Sequence, residues 1–384
     1  MDRGLYEEDH EAFRAVVRTF VKREVEPYLL KWEEQRLVDR AVWRAASAQG
    51  LIGLAVPEEY GGGGEDDIRF RAVMMEELAA VGASSVQLGI SLTEDIAMPY
   101  FLELTTQEQK RRWLPGLASG ELISAIAMTE PDAGSDLQGM RTTAVRDGDH
   151  WLINGAKTFI TNGIQADLVI VAARTDPAAG SRGISLLVVD RDTPGFSRGR
   201  KLDKIGLHGQ DTAELFFNDA RVPADHLLGQ EGGGLRHLLE RLPRERLSIA
   251  MGAQAAAEAA FGWTLEYVKE RRAFGRPVAS FQNTAFTLAE LRTALDVSQA
   301  FIDRAMLALN AGTLTVQDAA KAKWWATDLQ QRVVDKGLQL HGGYGYMAEY
   351  PIARAFLDGR VQSIYGGTNE IMKEIIGRQL IGSD

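Results

Sequence analysis

The sequence contains no cysteine among its 384 residues. Disulfides, thiolate nucleophiles and cysteine-ligated metal sites are therefore excluded. An excess of basic residues is also missing, since 43 Lys and Arg stand against 53 Asp and Glu and the net charge is −10. Nucleic acids and anionic membranes select for concentrated basic surface. The composition therefore argues against both as the main partner.

Long apolar runs are absent as well. No stretch approaches the roughly 20 residues that cross a membrane. The first four residues, Met-Asp-Arg-Gly, resemble neither an apolar signal region nor a transit peptide. We therefore expect a chain without a membrane span that resides in the cytoplasm of a prokaryote. The hydrophobic share of 45% and the charged share of 25% are typical of a globular protein.

Three regions of the chain differ in their hydrophobic pattern. Residues 1–125 carry apolar residues at helical spacing. Residues 126–230 contain short apolar or alternating runs punctuated by Gly, Asp, Asn and Pro, which predicts strands and turns. Long apolar stripes return in residues 231–384 and predict a helical bundle. These ranges are the predicted N-terminal helical, middle β and C-terminal helical domains.

Individual runs predict individual elements within these regions. Strands are predicted over residues 151–155, 168–172, 183–189 and 213–217. Long helices are predicted over residues 250–269, 286–310 and 316–340. No long helical pattern interrupts the predicted strands, so a compact β unit is expected between the two helical ones.

Two segments of the middle region are candidates for ligand binding. Residues 127–136 read AMTEPDAGSD, and their backbone N–H groups and hydroxyls suit an anionic or carbonyl-rich ligand. On composition alone, however, a plain surface turn is the commoner explanation for such a loop. Residues 157–163 read KTFITNG and predict a strand that ends in an Asn-Gly turn.

Two more candidates lie in the C-terminal region. Residues 270–276, ERRAFGR, followed by Gln282, supply arginines that suit a phosphate, although a lone arginine at a helix end is more often only solvated. Residues 339–345 read QLHGGYG, and their glycines let the backbone approach a ligand closely. No second ligand accompanies His341 at metal spacing, which favours a loop residue over a metal site.

The segments YGGTNE at 365–370 and LPRER at 242–246 resemble the two places where acyl-CoA dehydrogenases keep their catalytic base. Most members of that family have a glutamate at the position of Gly366. The long-chain and isovaleryl types have a small residue there and supply the glutamate from the position of Glu245. This chain follows the second pattern at both positions, so the resemblance implies Glu245 as proton acceptor. Without the resemblance, Glu245 reads as a surface helix residue paired with Arg241 or a neighbouring arginine.

The resemblance to acyl-CoA dehydrogenases covers essentially the whole chain and is closest to the long-chain type. It implies an α+β multidomain fold with an N-terminal helical domain, a middle β-barrel and a C-terminal four-helix bundle. It also implies FAD as cofactor, a homotetramer, and an electron-transfer flavoprotein as electron acceptor. The implied reaction, as in fatty-acid β-oxidation, converts an acyl-CoA to a trans-2-enoyl-CoA by proton transfer to Glu245 and hydride transfer to flavin N5. The backbone N–H of Gly366 would hold the thioester oxygen.

The same resemblance assigns residues to the FAD. Thr129 would hold the pyrimidine edge of the ring system, Phe159 would pack beside it, and Thr161 would bond near N5. Arg271 and Gln282 would bind the pyrophosphate and adenosine of the FAD in a neighbouring subunit. The implied cofactor-binding residues are Ile126, Ala127, Met128, Thr129, Gly134, Ser135, Phe159, Ile160, Thr161, Arg271, Phe274, Gln282, Gln339, Leu340, His341, Gly342, Gly343, Thr368, Asn369 and Glu370.

Substrate contacts are implied in the same way. Ser135 would touch both flavin and acyl-CoA, and Gln87 and Ser91 would close the distal end of the acyl cavity. The long-chain type has an aromatic residue where this chain has Arg236, and this departure leaves the acyl specificity open. The implied substrate-binding residues are Gln87, Ser91, Ser135, Ser181, Arg182, Arg236, Pro243, Arg244, Arg246, Gly366 and Gly367.

Two other classes of function stay open from the sequence. One is a flavin oxidase, or a tailoring enzyme that acts on a carrier-protein thioester. The other is a non-catalytic protein that binds acyl-CoA or flavin. The second would lack a glutamate at both base positions, so Glu245 argues against it.

Overall fold

The computed structural model describes residues 3–382, so the outermost residues of the predicted terminal domains lie outside the described residues. The N-terminal part is helical. Its α-helices are α1 (Glu8–Phe20), α2 (Leu29–Gln35), α3 (Ala41–Ser47), α4 (Ile68–Ala80), α5 (Ser84–Ser91), α6 (Met98–Glu103) and α7 (Gln107–Ala118). A π-helical segment over Leu92–Ala97 joins α5 to α6, and this kind of irregular turn is frequent at functional sites.

One capping motif links this helical part to the strands that follow. Thr106 caps α7 by accepting the backbone N–H of Gln109 at 3.2 Å, and the Gln109 side chain accepts the N–H of Thr106 at 2.8 Å. Such a reciprocal cap satisfies backbone donors that would otherwise be unpaired. The Gln109 amide also donates to the carbonyls of Asp225 and Leu227. The start of α7 is therefore fixed against the middle part of the chain.

The middle part is a single eight-stranded sheet. Its strands are β1 (Ser124–Ala127), β2 (Thr143–Asp147), β3 (His150–Thr161), β4 (Leu168–Arg174), β5 (Ile184–Asp190), β6 (Phe196–Lys201), β7 (Thr212–Pro223) and β8 (Leu227–Leu228). Neighbours follow the order β6-β7-β3-β2-β4-β5-β8, and β1 pairs in parallel with β4. Contacts of β1 with β3 and of β5 with β7 turn the sheet around one apolar core.

The C-terminal part is again helical. A short hairpin of β9 (Arg272–Ala273) and β10 (Arg276–Pro277) interrupts it, and its helices are α8 (Gly234–Glu270), α9 (Gln282–Asn310), α10 (Val316–His341), α11 (Pro351–Gly359) and α12 (Asn369–Ile381). In the bundle, α10 contacts α8, α9 and α12. Among residues 3–382, no helix combines the length and apolar character that crossing a membrane requires.

Most predicted elements are found where the sequence places them. The four predicted strands correspond to β3, β4, β5 and β7, and β5 begins at Ile184, one residue after the predicted start. The largest difference is α8, which begins at Gly234 although the apolar stripe predicts a helix only from residue 250. Pro243 lies inside this helix, where it removes a backbone hydrogen bond. Burial of Leu238 and Leu247 on either side offsets that cost.

Candidate active site

A cavity lies where the N-terminal helices, the sheet and the bundle meet. It encloses about 1100 Å³ of unfilled space, part of which is open to solvent. Its walls come from α5 and the following π-helical segment, from β1 and β3, from α8, and from the turn before α12. The residues of the sequence prediction that line it are Gln87, Ser91, Ile126, Met128, Thr129, Phe159, Ile160, Thr161, Glu245 and Gly366. The fold thus brings together segments that are far apart in sequence.

Glu245 lies on α8 and is only 4% exposed. Its Oε1 accepts a hydrogen bond from the Tyr100 hydroxyl at 2.9 Å. Burial raises the pKa of Glu245 to about 7, although the Tyr100 hydrogen bond and the charges of Arg246 and Arg241 oppose that rise. Arg241 instead pairs with Glu103 at 2.6 Å, so the surface pairing that the residue pattern alone suggests for Glu245 is wrong. A carboxylate whose pKa lies near neutrality is suited to accept a proton.

Gly366 lies in the turn before α12 and adopts φ +63°, a conformation that disfavours residues with a side chain. A Cβ atom at this position would lie 2.3 Å from Cδ1 of Ile249, which follows Glu245 by one turn of α8. The backbone N–H of Gly366 donates to no acceptor among residues 3–382. Gly366 therefore lines the cavity beside α8, the helix that carries Glu245.

Phe159 forms part of the sheet wall in an unusual conformation. The pairing of β3 with β7 shifts register between Lys157 and Ile160, which is a β-bulge. Within it, Phe159 has φ +59° and its side chain is 68% exposed. Strained aromatic residues of this kind persist where the surrounding structure holds them and cluster at ligand sites. The bulge directs a large, uncovered ring toward the cavity.

A buried ion pair fixes the neighbouring wall segment. Lys157 is fully buried, and its Nζ donates to Glu130 Oε1 at 2.8 Å and to the carbonyl of Met128 at 3.0 Å. Glu130 also accepts the backbone N–H groups of Arg141 at 2.6 Å and Thr142 at 3.0 Å. These bonds tie the end of β1 to the bulge of β3. The residue pattern does not reveal this role, because an isolated lysine in a strand is most often exposed.

A second group of predicted residues forms a cradle at one end of the bundle, made of Arg271, Gln339, Leu340, His341, Gly342 and Gly343. The Arg271 guanidinium lies 5.5 Å from the ring centroid of Tyr344. A methyl group added to Gly342 or Gly343 would meet no atom within 4 Å, so this backbone faces open space. His341 stacks on Tyr267 at 4.2 Å and bonds through Nδ1 to the carbonyl of Gly337 at 2.7 Å. Its ring thus serves packing.

The other predicted cofactor residues have mixed surroundings. Ala127 is buried in β1, whereas Gly134, Ser135 and Gln282 are exposed. Phe274 is 95% exposed at the β9–β10 turn. Thr368 caps α12, and Glu370 is exposed in its first turn. The buried Asn369 donates to Thr327 and Asp328, so its side chain supports the turn that carries Gly366 and does not face the cavity.

The predicted substrate-binding residues other than Gln87, Ser91 and Gly366 do not line the cavity. Ser181, Arg182 and Arg236 are exposed. Pro243 is half-buried within α8, and Arg244 pairs with Asp66 at 2.5 Å. Arg246 is buried, and the backbone carbonyl of Gly367 accepts a hydrogen bond from Lys323 Nζ at 2.8 Å.

Lys323 and Tyr100 are residues that the sequence prediction missed. Lys323 is fully buried, and its Nζ also donates to Asn369 Oδ1 at 2.9 Å, which holds the turn containing Gly366. Burial and the charge of Arg246 lower the pKa of Lys323 to about 8. The sequence does contain a pattern that predicts the burial of Lys323, because this residue lies one helical turn after the buried Ala319 of α10. Tyr100 has no comparable signal in its own segment.

Three family models together span almost all of the described chain. They are the acyl-CoA dehydrogenase N-terminal domain at residues 7–121, the middle domain at 125–220 and the C-terminal domain at 232–381. The chain belongs to the acyl-CoA dehydrogenase family. The predicted family, the α+β fold and the enzyme class, an oxidoreductase, are thereby confirmed.

Individual acyl-CoA dehydrogenases are similar over nearly the full length. The mitochondrial long-chain specific acyl-CoA dehydrogenase of Mus musculus is 49% identical over 381 residues, which is 99% of this chain and 88% of the relative. The crystal structure of an acyl-CoA dehydrogenase from Geobacillus kaustophilus has a TM-score of 0.95 at 52% identity and covers 98% of both chains. A glutaryl-CoA dehydrogenase from Mycobacterium smegmatis in complex with FADH2 has a TM-score of 0.92 at 30% identity, covering 99% of this chain and 96% of that one.

Acyl-CoA dehydrogenases are FAD enzymes, which confirms the predicted cofactor. The residues of this chain fit that cofactor in two places. The cavity wall offers the uncovered Phe159 ring together with Thr129 and Thr161, a set suited to a flat ring with polar edges. The cradle offers Arg271 and open glycine backbone, which suit an anionic group. None of the cradle residues lines the cavity.

Proposed function

We propose that the protein catalyses the FAD-dependent α,β-dehydrogenation of an acyl-CoA thioester to a trans-2-enoyl-CoA, with Glu245 as the proton acceptor. The observation that carries this proposal is that one cavity is lined both by Glu245, a buried carboxyl group of raised pKa, and by Gly366, whose backbone N–H has no acceptor among residues 3–382. Gly366 has no side chain, and the carboxylate is provided instead by Glu245 of α8.

A second carboxyl group, that of Asp358, also lines the cavity. Burial raises its pKa to about 7 as well. Its Oδ1, however, accepts the backbone N–H of Leu207 at 2.6 Å and so fixes the loop between β6 and β7. Glu245 accepts only the Tyr100 hydrogen bond, and its Oε2 has no hydrogen-bond donor among residues 3–382. Glu245 is therefore the better candidate for the base.

The proposed chemistry follows from these positions. The α-proton of a thioester is weakly acidic and needs a positioned base, which is Glu245 in its ionised state. Negative charge then develops on the thioester oxygen, where the N–H of Gly366 can stabilise it without reorganisation. The flavin, when bound, supplies the acceptor for the β-hydride. Burial of Glu245 and Ile249 keeps bulk water away from the developing charge.

The remaining predictions extend this proposal. The exposed Phe274 and the open cradle support binding of part of the FAD by a neighbouring subunit, and we propose a homotetramer on the basis of the family. Electrons would pass to an electron-transfer flavoprotein. The similarity to a long-chain enzyme supports an acyl chain above medium length. That relative carries a mitochondrial name, so cytoplasmic residence of this chain stays a prediction.

Anaerobic bleaching of the bound flavin tests the proposed reaction. A panel of acyl-CoAs of increasing length should bleach the flavin, and turnover should be fast with an electron-transfer flavoprotein and slow with oxygen alone. Stoichiometric hydrogen peroxide at a comparable rate would identify an oxidase. Bleaching only by carrier-protein thioesters would identify a tailoring enzyme, and the absence of bleaching by any thioester would contradict catalysis.

A further inference from the structure

Tyr100 is a buried residue that contacts the proposed base but does not line the cavity. It lies in α6, its side chain has no exposed surface, and its hydroxyl donates to Glu245 Oε1 at 2.9 Å. This is the only hydrogen bond that Glu245 accepts among residues 3–382. The carboxylate is therefore held by one oxygen, and the other has no partner within the described chain.

Arg241 holds the Tyr100 ring from the side of α8. Its guanidinium lies 5.0 Å from the ring centroid, a distance at which a cation is attracted to an aromatic face. The same guanidinium donates to the carbonyl of His237 at 3.0 Å and to Glu103 at 2.6 Å. Both helices that carry this contact are thus cross-linked beside it. The Tyr100 hydroxyl has little freedom to turn away from Glu245.

The charged and titratable groups around Glu245 come from several elements. Tyr100 and Glu103 belong to α6, Arg241 and Arg246 to α8 and Asp358 to α11, while Asp95 of the π-helical segment bonds Ser248 of α8 at 2.9 Å. Burial and the Glu245 carboxylate raise the pKa of Tyr100 well above its ordinary value. The Tyr100 hydroxyl therefore keeps its proton and donates to the ionised Glu245 carboxylate.

We propose that Tyr100 is a positioning residue that holds Oε1 of Glu245, leaves Oε2 free for the substrate proton and favours the ionised carboxylate. This inference rests on the proposed role of Glu245 as the base. Its physical basis is that a hydroxyl donor stabilises the charged form of a carboxyl group in preference to the neutral form. Loss of the hydroxyl should make Glu245 harder to ionise.

The test is the pH dependence of flavin reduction in the holoenzyme carrying Tyr100→Phe, with one good acyl-CoA as substrate and oxygen excluded. The acidic limb of the rate should move to higher pH by about one unit, the size expected for one hydrogen bond to a charged group. The rate near pH 7 should therefore fall about fivefold, approach a tenfold loss at lower pH, and recover at alkaline pH. FAD content and the dissociation constant of the acyl-CoA should stay close to those of the parent.

A matched control is Tyr60→Phe. Tyr60 is also buried in the N-terminal part, and its hydroxyl donates to Gln107 at 2.8 Å, away from the cavity. This control removes one buried hydroxyl but should leave the pH profile unchanged. Tyr100→Met, which also cannot donate, is the second variant and should show the same shift if Tyr100→Phe fails to fold.

The inference would be overturned if a folded Tyr100 variant had the acidic limb of its pH–rate profile at the same pH as the parent. This holds whether or not the maximal rate of flavin reduction changes. A uniform loss at every pH, or loss of FAD with an unmoved limb, would assign Tyr100 a purely structural role and would also overturn it. Glu245→Gln separates this outcome from failure of the base assignment. If that variant still reduces flavin at nearly the parent rate, Glu245 is not the base, independently of Tyr100.

Discussion

The two candidate regions of this molecule differ in how complete they are within one chain. Around Glu245 the residues are buried, the carboxylate already has a hydrogen bond from Tyr100, and the cavity walls come from all three parts of the fold. At the cradle, Arg271 and the glycines at 342–343 face open space, and the nearby Phe274 is almost fully exposed. One region is preorganised, whereas the other presents Arg271, whose guanidinium has no hydrogen-bond or ion-pair partner among residues 3–382, beside uncovered glycine backbone.

This difference assigns separate tasks to the two regions. Burial is what raises the pKa of Glu245 toward neutrality, and we propose that proton transfer takes place in this closed region. The open region gains its contacts only when an anionic ligand and, as proposed, a neighbouring subunit cover it. Substitutions in the first should change the rate of the chemical step. Substitutions in the second should change cofactor retention and assembly.

The largest effect is expected from Glu245→Gln in the closed region. Loss of a general base typically slows a reaction ~10²–10⁴-fold. Flavin reduction by acyl-CoA should slow to this extent, while the protein stays folded and yellow because glutamine keeps the shape and can still accept the Tyr100 hydrogen bond. Stopped-flow absorbance under anaerobic conditions measures the rate.

Asp358→Asn is the matched variant for this experiment, because Asp358 is the other carboxyl group of the cavity. It should slow reduction much less than Glu245→Gln, since its carboxylate is engaged with the backbone of Leu207. If Asp358→Asn slowed flavin reduction more than Glu245→Gln did, Asp358 and not Glu245 would be the proton acceptor.

Arg271→Ala tests the open region. Removing one ion-paired phosphate contact should weaken FAD retention by roughly 10–100-fold and loosen the oligomer at the same time. FAD released on dilution and mass by light scattering are the two measurements. Arg272→Ala is the control, because Arg272 is adjacent and exposed but lies outside the cradle. Stoichiometric FAD and unchanged mass in the Arg271 variant would refute the proposed shared site.

Some features of the fold and of the two regions can be predicted from the sequence, and others cannot. That Thr129, Glu245 and Gly366 line one cavity is expected only from the resemblance to acyl-CoA dehydrogenases, because the residue pattern alone makes Glu245 a surface residue. The α, β, α order was predictable because helical and strand periodicities differ. The bulge at Phe159 was not, because it depends on the register of β3 against β7. A register shift leaves no local pattern of its own.

The residues that support the site were harder to predict than the site itself. Tyr100 and Lys157 act through partners far away in sequence, Glu245 in one case and Glu130 in the other. Their roles depend on burial, and the burial of a single polar residue cannot be predicted from the sequence around it. The apolar stripe predicts α8 only from residue 250 although the helix begins at Gly234, because Pro243 and the surrounding charges interrupt the stripe.

Moving the base tests whether Gly366 faces the same substrate carbon as Glu245. Combining Glu245→Gly with Gly366→Glu should restore little activity on its own, because position 366 has φ +63° and the new Cβ would lie 2.3 Å from Ile249 Cδ1. Adding Ile249→Ala relieves that contact and should raise flavin reduction at least about tenfold over Glu245→Gly alone, a modest part of what a general base supplies. Equal rates with and without the relocated glutamate would place position 366 away from the reacting carbon.

A smaller effect is expected at the distal wall of the cavity. Ser91 lines it, and its hydroxyl is buried without a hydrogen-bond partner in the described chain. Ser91→Glu should shorten the preferred acyl chain, because each buried methylene contributes ~0.8 kcal/mol and its loss lowers the preference by a few-fold per carbon. Profiles of kcat/KM against chain length measure this, with Ser91→Ala as the control that keeps the space. If kcat/KM depends on chain length in the same way in both variants, Ser91 does not contact the acyl chain.

The smallest expected effect is a stability difference that only the closed region should show. The pKa of Glu245 rises from 4.5 to about 7 on burial, so the folded chain loses stability from this group as pH rises between these values. The full loss is at most about 3 kcal/mol. Glu245→Gln does not titrate and should therefore melt a few degrees higher than the parent at pH 8, but not at pH 4.5. Glu231→Gln, at an exposed position, is the control and should follow the parent at both pH values. A melting difference for Glu245→Gln that does not grow with pH would show that burial does not oppose ionisation of Glu245, and the closed region would then lose the property that distinguishes it from the cradle.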